Sequence, residues 1–208
     1  MASITKRTLL EHGMTMLLER GYNDMGVADL LDATGIPKGS FYHHFASKED
    51  FGLQAIDVYM EQVHAGLDQC LGDATCAPLM RIRRFFELSA KKYRAEGNLG
   101  CLLGGLGQEL SGVSEAFRRK VDWCFTEIAR RIADTLRDAV TNGDMPPGTD
   151  VDAMAHLLVN CWEGAALRSR LRRNPAPLHD MLDFYFRAAA NTCGGDPITQ
   201  RRTPRRRR

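Results

Sequence analysis

Apolar residues recur every three or four positions along almost the whole chain, and no segment alternates apolar and polar residues as a half-buried strand does. Leu10, Met14, Leu17 and Gly21 follow this spacing, and so do Phe51, Ala55, Val58, Gln62 and Val63. The longest stripe runs through Phe117, Val121, Cys124, Ile128, Ile132, Leu136 and Ala139. Two more follow, Met154, Leu157, Leu158, Cys161 and Ala165, then Leu178, Leu182, Tyr185 and Ala189. One-face patterns of this kind belong to amphipathic helices packed on a shared core. The chain is expected to be all-α.

Punctuation divides the stripes into elements. Gly21 closes the first. Ser47 followed by Glu49 and Asp50 reads as a capped helix start with acids in its first turn. Pro78 sits where a helix tolerates proline, at its first turn. Gly97 to Gly100, Asn142 to Gly148 and Asn174 to Pro177 are breaks. From Gly194 onward the chain is Gly, Pro, Thr, Gln and Arg, a composition that buries no core and is expected to be disordered.

Charge is arranged unevenly. The net charge is +2, but the stretch from Asp196 to Arg208 holds six arginines against one aspartate. That tail carries +5 and leaves −3 for the rest. The first fifty residues hold five lysines and arginines against seven acids, so bulk charge alone does not mark the N-terminus as a nucleic-acid head. No apolar run approaches the roughly 20 residues that span a bilayer, and the first apolar segment is broken by Lys6, Arg7, Glu11 and His12. A cytoplasmic protein without membrane contact is expected. The six cysteines, at 70, 76, 101, 124, 161 and 193, include no pair at C-x-x-C spacing. Neither a metal site nor a cofactor is expected. Cys124 and Cys161 lie in apolar stripes and read as core, whereas Cys70, Cys76 and Cys193 read as loop or helix-end residues.

The most informative segment is Asp24 to Phe45. Val27 to Ala33 makes about two helical turns with Leu30 and Leu31 available for burial. Thr34-Gly35-Ile36 is a turn in which Gly35 can take a positive φ and Ile36 can plug the angle between helices. Pro37 then opens a second short helix. Two helices joined at a steep angle by a glycine turn make a helix-turn-helix. Phe41 and Phe45 have the spacing to anchor the second helix inward. Its other residues, Lys38, Gly39, Ser40, Tyr42, His43 and His44, are hydrogen-bonding groups around a glycine that permits close backbone approach. Lysine and serine at a helix start suit base edges in a major groove. Tyr42, His44 and Lys48 suit phosphates, which set register.

Gly21-Tyr22, Leu31, Ala33, the run from Gly35 to Phe45 and Ser47-Lys48-Glu49 together resemble the signature of TetR-family regulators. That resemblance implies an N-terminal three-helix head over residues 1–47 that reads double-stranded operator DNA. It also implies a six-helix effector-binding and dimerisation bundle over 48–193, followed by the basic tail 194–208. Such proteins are homodimeric repressors released by a small molecule, and the last two helices, Val151 to Arg173 and Pro177 to Cys193, form the dimer interface. The chain departs from the pattern at Gly26, where the family carries a threonine or serine cap.

A second resemblance lies in Gly100 to Glu109, Trp162-Glu163-Gly164-Ala165 and Leu167-Arg168. These segments are similar to the subgroup that contains the acrylate-responsive regulator and the N-ethylmaleimide reductase repressor. The resemblance implies an electrophile or oxidant sensed at Cys101. Where it implies a lysine, this chain has Arg170, which would supply positive charge near the thiol. From the residues alone, Cys101 opens a helix, where the dipole favours thiolate, in a glycine-rich stretch with room for a ligand. A small buried packing residue is the alternative. Pocket candidates are Phe85, Phe86, Tyr93, Trp123, Phe125 and Trp162, with Glu109, Asn160 and Glu163 as polar handles. A noncovalent ligand in that aromatic pocket is a second reading. A cysteine-nucleophile enzyme is a third, but nothing near Cys101 in sequence nominates its base and orienting group. The chain is therefore expected not to be an enzyme.

Overall fold

The computed structural model describes residues 2–97 and 100–191. Among these, all regular structure is helical: α1 (Ala2–Arg20), α2 (Val27–Thr34), α3 (Lys38–His44), α4 (Lys48–Leu71), α5 (Pro78–Ala95), α6 (Leu102–Leu110), α7 (Glu115–Thr141), α8 (Val151–Arg172) and α9 (Ala176–Asn191). The arginine tail and Cys193 lie outside the described residues.

The helix ends obey local chemistry. Gly21 leaves α1 at φ 83°. The Ser47 hydroxyl accepts the Asp50 N–H at 3.0 Å and caps α4, while Glu49 and Asp50 complement the dipole of its first turn. Ser114 and Asp150 cap α7 and α8 in the same way. At α2 the departure noted in the sequence is visible: Gly26 occupies the N-cap without a side-chain bond. The Asp29 carboxylate lies 2.7 Å from where a Cβ on Gly26 would stand. An acid in the first turn thus takes over part of the cap's electrostatic role.

Helices α1 to α3 form a head whose core is Leu9, Met25, Leu30, Phe41 and Phe45, all fully buried. The head has no separate floor. It closes on the first turns of α4, where the Phe51 ring stands 5.5 Å from Phe41 and 5.1 Å from Phe45 between centroids. In the body, α7 packs against α4, α5, α6 and α8, and α9 lies against α8 and α5. The short α6 is wedged between α7 and the head, touching α1 and α4.

One core assignment fails. Cys161 is exposed. The apolar stripe read along α8 straddles two faces: Ala155, Leu158, Trp162, Ala165 and Ala166 turn inward, while Leu157 is 54% exposed. One residue on a helix is a turn of about 100°, so Leu157 and Cys161 share the outer face and Leu158 the inner.

Candidate functional site

The head presents one face of α3. Gly35 takes the left-handed conformation, φ 65°, and its N–H returns to the Asp32 and Leu31 carbonyls. Ile36 donates to Leu31 O at 3.2 Å and packs half-buried against the core. Pro37 is the N-cap of α3. With Phe41 and Phe45 buried, the helix turns its other side outward. Tyr42 is 68% exposed, His43 is exposed, and Ser40 and His44 are half-buried. Gly39 has open space around its Cα. Lys38 is the first residue of α3. Lys48 stands apart from this row, with its ammonium 4.5 Å over the Tyr22 ring. Burial there lowers its pKa, opposed by the nearby Glu109 carboxylate.

The body holds a cavity of about 200 Å³. Tyr59, Val63 and Gly66 of α4 form one wall, Phe85, Phe86 and Tyr93 of α5 a second, and Phe125, Ile128, Val159, Trp162 and Glu163 the remainder, with Cys101 and Leu103 at the α6 end. Trp162 binds the wall together: its ring is 4.8 Å from Phe86 and 5.9 Å from Tyr93. The exposed residues among those that line it are Gln62, Gln69, Leu88 and Lys92, so the cavity opens between α4 and α5.

At the inner end four polar groups are neighbours. Tyr93 lies beside Tyr59. The Tyr59 hydroxyl donates to Cys101 Sγ at 3.6 Å, and Glu163 stands beside the Cys101 thiol. Burial, then the Glu163 charge, push the thiol up to about 12, against the smaller opposite pull of the Gly104 N–H. Burial pushes the Glu163 carboxyl up to about 7. The same burial holds both tyrosines well above their ordinary range. Gly104 is needed here, because a Cβ at that position would collide with the Glu163 carboxylate. Chemically, the arrangement is a nucleophile beside a base poised near neutrality, with two tyrosine hydroxyls nearby.

A second groove, about 280 Å³, lies on the other side of Cys101 and Glu163 and extends to Glu109 and Arg170. Glu109 faces the head. Its carboxylate accepts the Tyr22 N–H at 3.1 Å and the Asn23 N–H at 3.0 Å, and it lies where a Cβ on Gly21 would stand. Arg170 donates to the Glu19 carbonyl at 3.5 Å. The turn after α1 is therefore held from two sides by α6 and α8.

Residues 9–54 match the model of bacterial regulatory proteins of the tetR family, and residues 78–185 match that of the tetracyclin repressor-like C-terminal domain. The chain is also 38% identical over 187 residues to the transcriptional regulator AcuR of Cereibacter sphaeroides, covering 89% of this chain and 85% of that one. The chain belongs to the TetR family. Its architecture is similar to that of the crystal structure of a regulatory protein TetR from Rhodobacter sphaeroides. There the TM-score is 0.83 at 37% identity, over 87% of this chain and 96% of that one. It is also similar to reduced NemR of E. coli, with a TM-score of 0.77 at 28% identity over 87% and 95%. These relatives are named as regulators of transcription, and the chain is accordingly a DNA-binding regulator.

Within this TetR-family frame, several residues singled out in the sequence move. Trp123 does not line the cavity; it is 55% exposed on the outer side of α7, between the inward positions Val121 and Cys124. Asn160 is exposed on α8. Glu109 serves the head–body junction. Cys101 caps α6 as expected, but the dipole does not yield a low thiol pKa, because burial and Glu163 outweigh it. The Arg170 guanidinium donates to the Glu19 carbonyl. Sequence reasoning missed Tyr59, whose neighbours Val58 and Val63 were read as core stripe, and Cys70, which is buried and lines the cavity. The available signal was Tyr59-Gln62-Val63-Gly66, a helical face with two polar residues and a glycine where a core face carries bulk.

Proposed function

We propose that the protein is a homodimeric cytoplasmic repressor that leaves its operator when a small electrophile engages Cys101. Residues 1–47 read double-stranded DNA through Lys38, Gly39, Ser40, Tyr42, His43 and His44, with Lys48 steadying the entry to α4. Residues 48–193 receive the effector and dimerise. The observation that carries the reading is the cavity-facing thiol of Cys101, which accepts the Tyr59 hydroxyl and lies beside the Glu163 carboxyl. The resemblance to electrophile-responsive regulators supports the same assignment. Signal passes along α6, which has Cys101 at one end and Glu109 near the other.

The test is release of a labelled operator by acrylate-like and maleimide-like compounds and by hypochlorite, on wild type and Cys101→Ser. Loss of the response in the serine variant is expected. Equal release from both proteins would show that Cys101 only packs. That outcome would favour a second reading, a noncovalent ligand among Phe85, Phe86, Tyr93 and Trp162, which the high thiol pKa also favours.

A further inference from the structure

We infer that the effector is an elongated amphiphile, with a conjugated carbonyl head at Cys101 and an unbranched apolar tail laid along α4 towards Cys70. The inference rests on Cys101 being the effector's site, and it adds what the rest of the molecule must be. The α4 residues on the cavity, from Tyr59 through Val63 and Gly66 to Cys70, fall on one helical face. The eleven steps from Tyr59 to Cys70, at about 1.5 Å each, make that face roughly 16 Å long.

Polarity is not spread evenly along this length. Lys92 reaches the Tyr59 end, where it bonds Gln62 Oε1 at 2.8 Å and lies 5.8 Å from the Tyr59 ring. Tyr93, Cys101 and Glu163 belong to the same end, around the Tyr59 hydroxyl. Further along, Gly66 faces Phe85, whose ring is 3.4 Å from where a Cβ would stand. The Ser89 hydroxyl is satisfied by Phe85 O at 3.0 Å within its own helix, and Cys70 is raised in pKa by burial. Apart from Gln69 at the solvent edge, this arm therefore offers a ligand little but apolar contact. A three-carbon acid would fill only the polar end. A dry cavity of about 150 Å³ accepts benzene, so about 200 Å³ accepts a chain of roughly eight heavy atoms.

The head chemistry balances without an outside oxidant. Glu163 as carboxylate takes the thiol proton, and the sulfur electron pair forms the S–C bond at the β-carbon of a 2-alkenal. The π pair moves to the carbonyl oxygen, whose enolate a tyrosine hydroxyl stabilises, and the α-carbon then takes up one proton. The tail leaves from the β-carbon, the atom bonded to sulfur, and so starts at the mouth of the apolar arm.

The experiment follows operator release by 2-butenal, 2-hexenal, 2-octenal and saturated octanal. Wild type, Gly66→Val, Gly66→Ala and Cys101→Ser are compared, with melting curves to show that each is folded. Each buried methylene is worth roughly a threefold to fourfold lower half-release concentration. Wild type should therefore respond to 2-octenal at least tenfold more sensitively than to 2-butenal. Gly66→Val should keep the 2-butenal response and lose the gain, and Gly66→Ala, whose methyl only touches Phe85, should lose part of it. A wild type released equally by all chain lengths overturns the tail and leaves Cys101 as sensor. Octanal matching 2-octenal overturns the conjugated head. Equal release of Cys101→Ser and wild type by 2-butenal overturns the assignment of Cys101 itself.

Discussion

Burial raises the Glu163 carboxyl to about 7, so its charge changes across the neutral range. The folded protein binds this proton more tightly than the unfolded chain, whose glutamate titrates near the ordinary 4.5. Its contribution to stability is fully present below about 4.5 and is lost as pH rises through 7. Glu163→Gln should therefore flatten the fall in Tm between pH 5 and pH 8, seen in paired melting curves. On the proposed reading, the same ionisation supplies the base for Cys101. Alkylation of that thiol by maleimide should rise with pH around 7 in wild type, and Glu163→Gln should move the rise towards the thiol's own high pKa. Identical pH–rate curves would remove Glu163 from the chemistry. In the head, Tyr42 is 68% exposed on α3. Tyr42→Phe keeps the ring and deletes a hydroxyl. Operator affinity should fall by about 1 kcal/mol, measured by anisotropy at fixed salt, with no change in Tm.

Helix α6 has an exacting position for its nine residues. One end is the Cys101 cap; near the other, Glu109 holds two backbone N–H groups of the turn that leads into the helix-turn-helix. Glu109→Ala leaves those donors to water and removes one tie between the head and α6. A partly exposed charged acceptor of this kind is worth about 1.5 kcal/mol, the low end of its range. The variant should bind electrophile at Cys101 as wild type does, by intact-mass measurement, yet release operator poorly. Normal release would route the signal through α4 alone. The glycine turn at Gly35, the Phe41 and Phe45 anchors and the Ser47 cap were all legible in the sequence, because each depends on neighbours within one helical turn. Glu109 was not, because its partners lie 86 and 87 residues away. The thiol pKa was misread for the same reason: the helix start is local, whereas the burial and the carboxylate that override it come from α4, α5 and α8. Trp123 looked like pocket lining because aromatic content says nothing about which side of α7 faces in.

The outer surface of α8 and α9 carries large apolar side chains that a single copy leaves exposed. Leu157, Leu171 and Phe184 are 54%, 67% and 71% exposed, although the two helices pack closely on each other. Exposed Cys161 and Gly164 lie between the two leucines on α8, and such small residues allow two helices to approach. On the proposed reading, a twofold axis through this surface would pair α8 and α9 with their mates in an isologous interface. Burying one such side chain is worth about 1.5–3 kcal/mol, and symmetry counts every contact twice. The heads also require it, since two α3 helices must meet half-sites about 34 Å apart. A double change, Leu157→Asp with Phe184→Asp, places four carboxylates in the assembled interface but none in a monomer's core. The variant should keep its helical circular dichroism, sediment as a monomer, and lose at least a hundredfold in operator affinity, since linking two sites is worth about that factor. Weakened DNA binding with the dimer intact would move the interface elsewhere on the body. A monomer that still binds operator at wild-type affinity would mean that a single head carries recognition.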